Sequence, residues 1–252
     1  MTKTRKPKIM FWDLETSHVE AKVWSLFKPM INPSDIINDW FLLCGAWKFL
    51  GEDEIFTASC TRRELLARND KRIVSIIRKA VEEADLIVAH NGDAFDTKKL
   101  KARIIKHGLE PLSFVKSIDT LKVARKEFKF TSNRLDAIGA FLGVGRKISN
   151  PPGLWDNVEA GSMEHMEMML DYNKQDVVLL EEVYLRLRPH MQNHPNINLF
   201  APVVKGEVVC NACTSTNSRK YGFTFSNTRK YQKHQCMDCG SIFKGSIIKK
   251  GE

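Results

Sequence analysis

The chain has 252 residues, room for one medium domain and one small one, and its 43% apolar content is enough for a buried core and argues against disorder. The formal net charge of +9 suits a polyanionic partner, either a nucleic acid or an anionic membrane surface. No apolar run approaches the ~18–20 residues of a spanning helix, and the basic start MTKTRKPK meets only IMFW before Asp13 interrupts, so neither a secretory signal nor a membrane anchor is expected and the location reads as cytoplasmic.

In chain order, the apolar run IMFW predicts a buried strand that ends in Asp13 and Glu15; at a spacing of two, both carboxylates leave on the same face. A long loop containing Lys28, Pro29 and Pro33 follows. DWFLLCGAWKFL and EIFTASC, joined by the turn-like GEDE, then predict two more strands and complete a three-strand meander. Recurrence of Leu65, Leu66, Ile73, Ile76, Ile77 and Val81 predicts helix over residues 61–83, leading to the buried strand LIVAH. Asp96 opens a helix that ends at Gly108. SFVKSID reads as a further strand, with LKVARKEF and NRLDAIGAFLG as short helices. Gly161 and Ser162 begin a longer helical region with Ser162 as its cap, and within it Tyr172 and Asp176, four apart, share a face. Helix breakers in Pro189 and HPNINLFAPVVKG divide a first unit, 1–192, from a last one, 207–252, through a linker at 193–206.

Two-metal phosphoryl chemistry needs several carboxylates from distant segments at one site. Asp13, Glu15, Asp96 and Asp176 are such a set, placed at strand ends or on helices that reach them, where open α/β sheets put their chemistry. In order, FWDLET, NGDAFD and YNKQD resemble the three motifs of the DEDD 3′→5′ exonucleases, in the DnaQ-like branch of the ribonuclease H-like superfamily. Tyr172, four before Asp176, marks the DEDDy type; the histidine of the other subtype would fall at Asp171. The spelling Asn91-x-x-x-Phe95-Asp96 is similar to the proofreading domains of family B DNA polymerases, as are SIDTL and NRLDAIGAFLG.

That resemblance covers roughly the first 190 residues. It implies an α/β fold with a ribonuclease H-like mixed central sheet flanked by helices. It further implies two Mg²⁺ or Mn²⁺ on Asp13, Glu15, Asp96 and Asp176, whose hard oxygens suit those ions better than zinc. Tyr172 would orient the attacking water, since a phenol is a poor base at neutral pH. Thr16 and Asn91 match positions that touch the terminal nucleotide, and Phe95 and Leu14 would wedge against its base. The implied activity is release of nucleoside 5′-monophosphates from single-stranded or frayed DNA ends, in proofreading or end trimming.

Of six cysteines, Cys44 and Cys60 read as small buried hydrophobes. Cys210, Cys213, Cys236 and Cys239 form two CxxC pairs separated by 22 residues, the spacing of a closed tetrahedral Cys₄ site for one structural Zn²⁺. Disulfides are disfavoured because nothing indicates an oxidising compartment. This small β-rich segment resembles a zinc ribbon. From Lys205 onward nine basic residues face three acids, so six of the nine net charges lie there. Arg219, Lys220, Arg229, Lys230 and Lys233 interleave with Tyr221, Phe223, Phe225 and Tyr231, which fits phosphate contacts with base stacking. The plainer reading puts the aromatics in the ribbon's core and the cations in solvent. Expected partners are single-stranded DNA 3′ ends and a DNA polymerase or other replication or repair proteins. Two alternatives stand beside this, an RNA 3′→5′ exonuclease and a non-catalytic adaptor whose ribbon recruits a polymerase.

Overall fold

The computed structural model describes residues 6–200 and 207–248; residues 201–206 of the expected linker and the outermost residues of both expected units lie outside it. Strand β1 (Ile9–Thr16) begins with four buried residues because it is the middle strand of a five-stranded sheet. After a small ribbon of β2 (Glu20–Ala21) and β3 (Ile36–Asn38), β4 (Leu42–Phe49) and β5 (Ile55–Ser59) complete the expected antiparallel meander. Helices α1 (Arg62–Leu66) and α2 (Lys71–Glu83) lead into β6 (Leu86–Ala89), and α3 (Asp96–Lys106) into β7 (Lys116–Asp119). β6 runs parallel to β1 and β7 parallel to β6, so the sheet, in the order β5-β4-β1-β6-β7, is mixed as the resemblance implied. Then come α4 (Thr120–Glu127), α5 (Leu135–Leu142), α6 (Leu154–Glu159) and α7 (Met163–Leu187).

The two-residue period of β1 sorts its side chains between two cores. Met10, Trp12 and Leu14 join the cluster containing Ile73 and Ile77 of α2 and Leu100 of α3. Ile9 and Phe11 join the opposite cluster with Ile138 of α5 and Val177, Leu180 and Tyr184 of α7. Asp13 and Glu15 share the parity of Ile9 and Phe11, so the same alternation turns them toward α7. Each large apolar side chain buried adds roughly 1.5–3 kcal/mol. A one-residue slip would therefore be costly on both faces at once.

The helix expected over 61–83 is two helices. Between them Arg68 adopts a left-handed backbone, φ 49°, and Asp70 is wholly buried. Asp70 accepts the N–H of Leu42 at 2.8 Å and two bonds from the Arg103 guanidinium, both at 2.7 Å. Removing one partner of such a buried pair costs about 3–5 kcal/mol. Apolar spacing runs on through the break, which is why periodicity alone did not expose it. β7 is shorter than the expected SFVKSID strand, and α6 was not anticipated.

The last three strands, β8 (Ser218–Phe225), β9 (Lys230–Cys236) and β10 (Ile242–Ile248), form an antiparallel sheet in the order β10-β9-β8. Its core is Cys210, Ala212, Cys236 and Phe243, while Tyr221, Phe223 and Phe225 are exposed, so the reading that placed these aromatics inside is corrected. The described part of the expected linker is packed and not a free tether. Ile197 is buried, its N–H donates to the Asn211 carbonyl at 2.9 Å, and the Asn198 side chain donates to the Val209 carbonyl at 3.2 Å. Among the described residues no helix is long and apolar enough to cross a membrane.

Candidate active site

At the end of β1, Asp13 and Glu15 face Asp176 of α7, and one carboxylate oxygen from each lies within 4.8 Å of the other two. The phase of α7 is set at its start, where the expected cap Ser162 accepts the His165 N–H at 3.4 Å. Asn173, one turn before Asp176, donates its side-chain amide to Asp13 Oδ2 at 2.6 Å. Asp176 Oδ1 and Asn173 Oδ1 are buried without a hydrogen-bond partner. Asp96, the buried first residue of α3, accepts the Leu14 N–H at 3.0 Å. It stands beside the group of three and not within it, yet its charge acts on both Asp13 and Glu15.

Lys147, in the loop between α5 and α6, reaches into this cluster. Its ammonium contacts Asp176 Oδ2 and donates to the Tyr172 hydroxyl at 3.0 Å. Trp155 of α6 meets the Tyr172 ring edge-on, with centroids 6.3 Å apart. Sequence reasoning missed Lys147, Asn173 and Trp155. Asn173 carried a signal, since it lies three residues before Asp176 on the same helical face. Lys147 sits in a loop without periodicity and carried none.

The electrostatics are those of carboxylates crowded out of water. Burial first, and then the charges of Asp96, Glu15 and Asp176, push the Asp13 carboxyl well above its ordinary range. Burial and the Asp176 charge raise Glu15 to about 8, and burial raises Asp96 to about 7. Asp176 is raised by burial against the opposing pull of Lys147. Burial alone would lower Lys147, but Asp176 and Tyr172 hold it above the usual lysine value. Tyr172 is raised by burial. Clustered hard oxygens, two of the buried ones unpartnered, with ionisation suppressed by burial and by one another's charge despite Lys147, fit a divalent cation of the Mg²⁺ or Mn²⁺ kind.

The four residues expected to touch a nucleotide fare differently. Asn91 takes a left-handed backbone, φ 70°, with its N–H donating to Asp119 Oδ1 at 2.9 Å. With Lys147 it lines a cleft of about 830 Å³ that also includes His90, Arg125, Asn133 and Arg134. The His90 ring is engaged on both sides, by Thr120 Oγ1 and the Asn133 carbonyl, each at 2.9 Å, as befits a satisfied turn residue. Phe95 is 37% exposed, and Thr16 is half-buried where β1 ends at an irregularity of register. Leu14 is a correction. It is 4% exposed and packs with Ile77 over Gly45, on the face of β1 opposite the carboxylates, so it does not wedge against a base.

In the C-terminal sheet, Cys210 and Cys239 place their sulfurs 3.6 Å apart and Cys213 and Cys236 theirs 3.5 Å apart, all four within 4.8 Å of one another. Tetrahedral Zn–S bonds of ~2.3 Å require S···S separations of about 3.8 Å, so the thiols fit that ion. Lys230 lies 4.0 Å over the Phe223 ring and Lys233 lies 5.5 Å from the Tyr221 centroid. Arg219 donates to Gln235 Oε1 at 2.8 Å, while Lys220 and Arg229 are exposed.

A family model described as RNase_H superfamily matches residues 38–188, more than half of the chain. The chain belongs to that superfamily. Over 69 residues it is 41% identical to the DNA polymerase III PolC-type of Ureaplasma parvum serovar 3, a match spanning 27% of this chain and only 5% of that protein. Its fold resembles the family B DNA polymerase from the hyperthermophilic archaeon Pyrobaculum calidifontis, with a TM-score of 0.55 at 15% identity. That likeness covers 73% of this chain and 25% of the polymerase.

Proposed function

We propose that the protein is a DEDDy-type 3′→5′ exonuclease that releases nucleoside 5′-monophosphates from single-stranded or frayed DNA ends. The observation that carries this reading is the meeting of Asp13, Glu15 and Asp176 within 4.8 Å, with Tyr172 joined to Asp176 through Lys147. The polymerase names of the two relatives support DNA as the partner. Asp13, Glu15, Asp96 and Asp176 would hold two Mg²⁺ or Mn²⁺, which supply Lewis acidity to an in-line displacement at phosphorus.

The remaining steps belong to the chain's own groups. Tyr172 has its proton held more firmly than an ordinary phenol, so at neutral pH it positions water by hydrogen bonding and does not act as a base. Lys147 stays charged and fixes both the Tyr172 oxygen and Asp176. Arg125 and Arg134 put positive charge along the cleft that Asn91 shares with Lys147, where a phosphodiester backbone would lie. Thr16 and Phe95 border the terminal nucleotide. Residues 1–192 form the exonuclease unit, joined through 193–206 to a zinc ribbon at 207–252 built on Cys210, Cys213, Cys236 and Cys239. In the ribbon, Arg219, Lys220, Arg229, Lys230 and Lys233 strengthen the hold on the substrate. Recruitment of a DNA polymerase or another replication or repair protein is consistent with the same reading.

Digestion of end-labelled DNA and RNA of one sequence, single-stranded and duplex, with Mg²⁺ or Mn²⁺ tests the proposal. Metal-dependent loss of 5′-mononucleotides from DNA 3′ ends is expected. Preference for RNA would transfer the reading to an RNA exonuclease, and tight binding without turnover would leave an adaptor.

A further inference from the structure

Between β1 and β4 the chain makes an excursion whose outer part is apolar and open to solvent. Trp24 is wholly exposed, and Leu26, Phe27 and Met30 are each 87% exposed. Contiguous apolar surface of this kind marks an interaction site. Residues 21–34 contain Lys22 and Lys28 and no acid. The acids at the foot of the excursion are engaged. Glu20 accepts from the Asn38 amide at 2.8 Å and from Arg68 at 3.3 Å, and Asp35 accepts the Asn32 N–H at 2.8 Å.

The foot is built firmly and stands at the rim of the carboxylate site. Ser17 donates its N–H to the Phe41 carbonyl at 2.9 Å, Glu20 and Ala21 pair with Asn38 and Ile36, and Arg68 donates to the Asp39 carbonyl at 2.9 Å. The excursion leaves β1 at Thr16, the residue after Glu15. Both the N–H and the ring of His18 reach Glu159 Oε1 at 2.9 Å, on α6, the same helix whose Trp155 meets Tyr172. The strap is thus tied to the strand that carries two of the carboxylates and to the helix that supports the tyrosine.

We propose that residues 22–31 form a base-stacking strap for the single-stranded part of the substrate, with Trp24 and Phe27 as the aromatic platforms and Lys22 and Lys28 beside the backbone. The proposal rests on the exonuclease reading above. Exposed aromatics interleaved with cations are the chemistry by which single strands are held without regard to sequence. Lysine, by contrast, is depleted in protein–protein interfaces. Two lysines and no acid within the apolar run therefore favour a polyanion over a protein face.

The test compares full-length Asp176→Ala protein with the same protein carrying Trp24→Ala and Phe27→Ala, each titrated against a fluorescent single-stranded DNA oligonucleotide. Stacking free energies per base correspond to about 5- to 150-fold in affinity, so a loss of about tenfold or more is expected. In the active background, hydrolysis of the p-nitrophenyl ester of thymidine 5′-monophosphate, too short to reach the strap, should keep its kcat/KM. Trp24→Phe with Phe27→Tyr should restore oligonucleotide binding, and Lys22→Glu with Lys28→Glu should weaken it. Unchanged oligonucleotide affinity overturns the strap, as does equal loss on the small ester. So does a concentration-dependent dimer abolished by the alanines while DNA affinity holds, which would give the surface to a second copy. The binding arm does not need turnover. Wild-type protein that hydrolyses no nucleic acid would sink the exonuclease reading, whereas normal hydrolysis with unaltered variant binding would sink the strap alone.

Discussion

Raising the pH of the metal-free protein should destabilise it, and a divalent cation should restore what is lost. Burial and the Asp176 charge raise Glu15 from 4.5 to about 8, with Asp96 raised beside it by burial and Asp13 and Asp176 raised despite the opposing charge of Lys147. A carboxyl whose folded-state pKa is raised contributes stability that is complete below its unfolded pKa and disappears as pH rises through its folded one. For Glu15 that window runs from about 4.5 to about 8. At about 1.36 kcal/mol per pKa unit, Glu15 alone is bounded at about 5 kcal/mol. Because it keeps part of its surface in solvent, roughly half of that, about 2–3 kcal/mol, is the expected effect. One kcal/mol moves the Tm of a domain this size by about 2–4 °C, so calorimetry should find Tm falling by roughly 5–10 °C between about pH 5.5 and 8.5. His90 and His194, both lowered by burial, pull the other way at the acid end, so Glu15→Gln protein is the reference. Saturating Mn²⁺ should raise Tm more at the higher pH, because the cation replaces protons on the same oxygens. A Tm profile of wild-type protein parallel to that of Glu15→Gln, with a metal increment independent of pH, would refute the reasoning.

Asp176→Ala should abolish hydrolysis at every metal concentration, whereas Tyr172→Phe should lose on the order of 10²-fold or less in single-turnover rate; an unchanged rate would make Tyr172 a packing residue. Lys147→Met should lower the single-turnover rate by roughly 10²-fold while oligonucleotide affinity changes little, since the ammonium fixes Tyr172 and Asp176. Elemental analysis of protein purified without added zinc should find one zinc per chain, and Cys236→Ser should lose it together with the fold of β8, β9 and β10, which bury too little to fold unaided; a folded metal-free sheet would defeat this. A chain ending at Phe200 should keep its turnover at saturating DNA but bind more weakly, with the salt dependence of log K shallower by about 0.7 for each phosphate the sheet no longer neutralises; identical slopes would give the sheet to a protein partner.

Short-range geometry was legible in the sequence. The two-residue period of β1 put Asp13 and Glu15 on one face, the helical period paired Tyr172 with Asp176, and Ser162 marked where α7 begins. That same period sends Leu14 to the opposite core, so the alternation already contradicted the role that family likeness suggested for it. The break at Arg68 left no mark on the pattern, because two helices that lie on one sheet face keep a continuous apolar rhythm. Only the tertiary structure decided what else stands in the site. Lys147 comes from a loop, Asn173 reaches Asp13 across 160 residues of sequence, and Glu159 of α6 ties the foot of the exposed strap to the rim. Local periodicity follows from the backbone geometry of neighbouring residues, whereas these meetings are set by how distant segments pack, for which a single sequence carries no local signature.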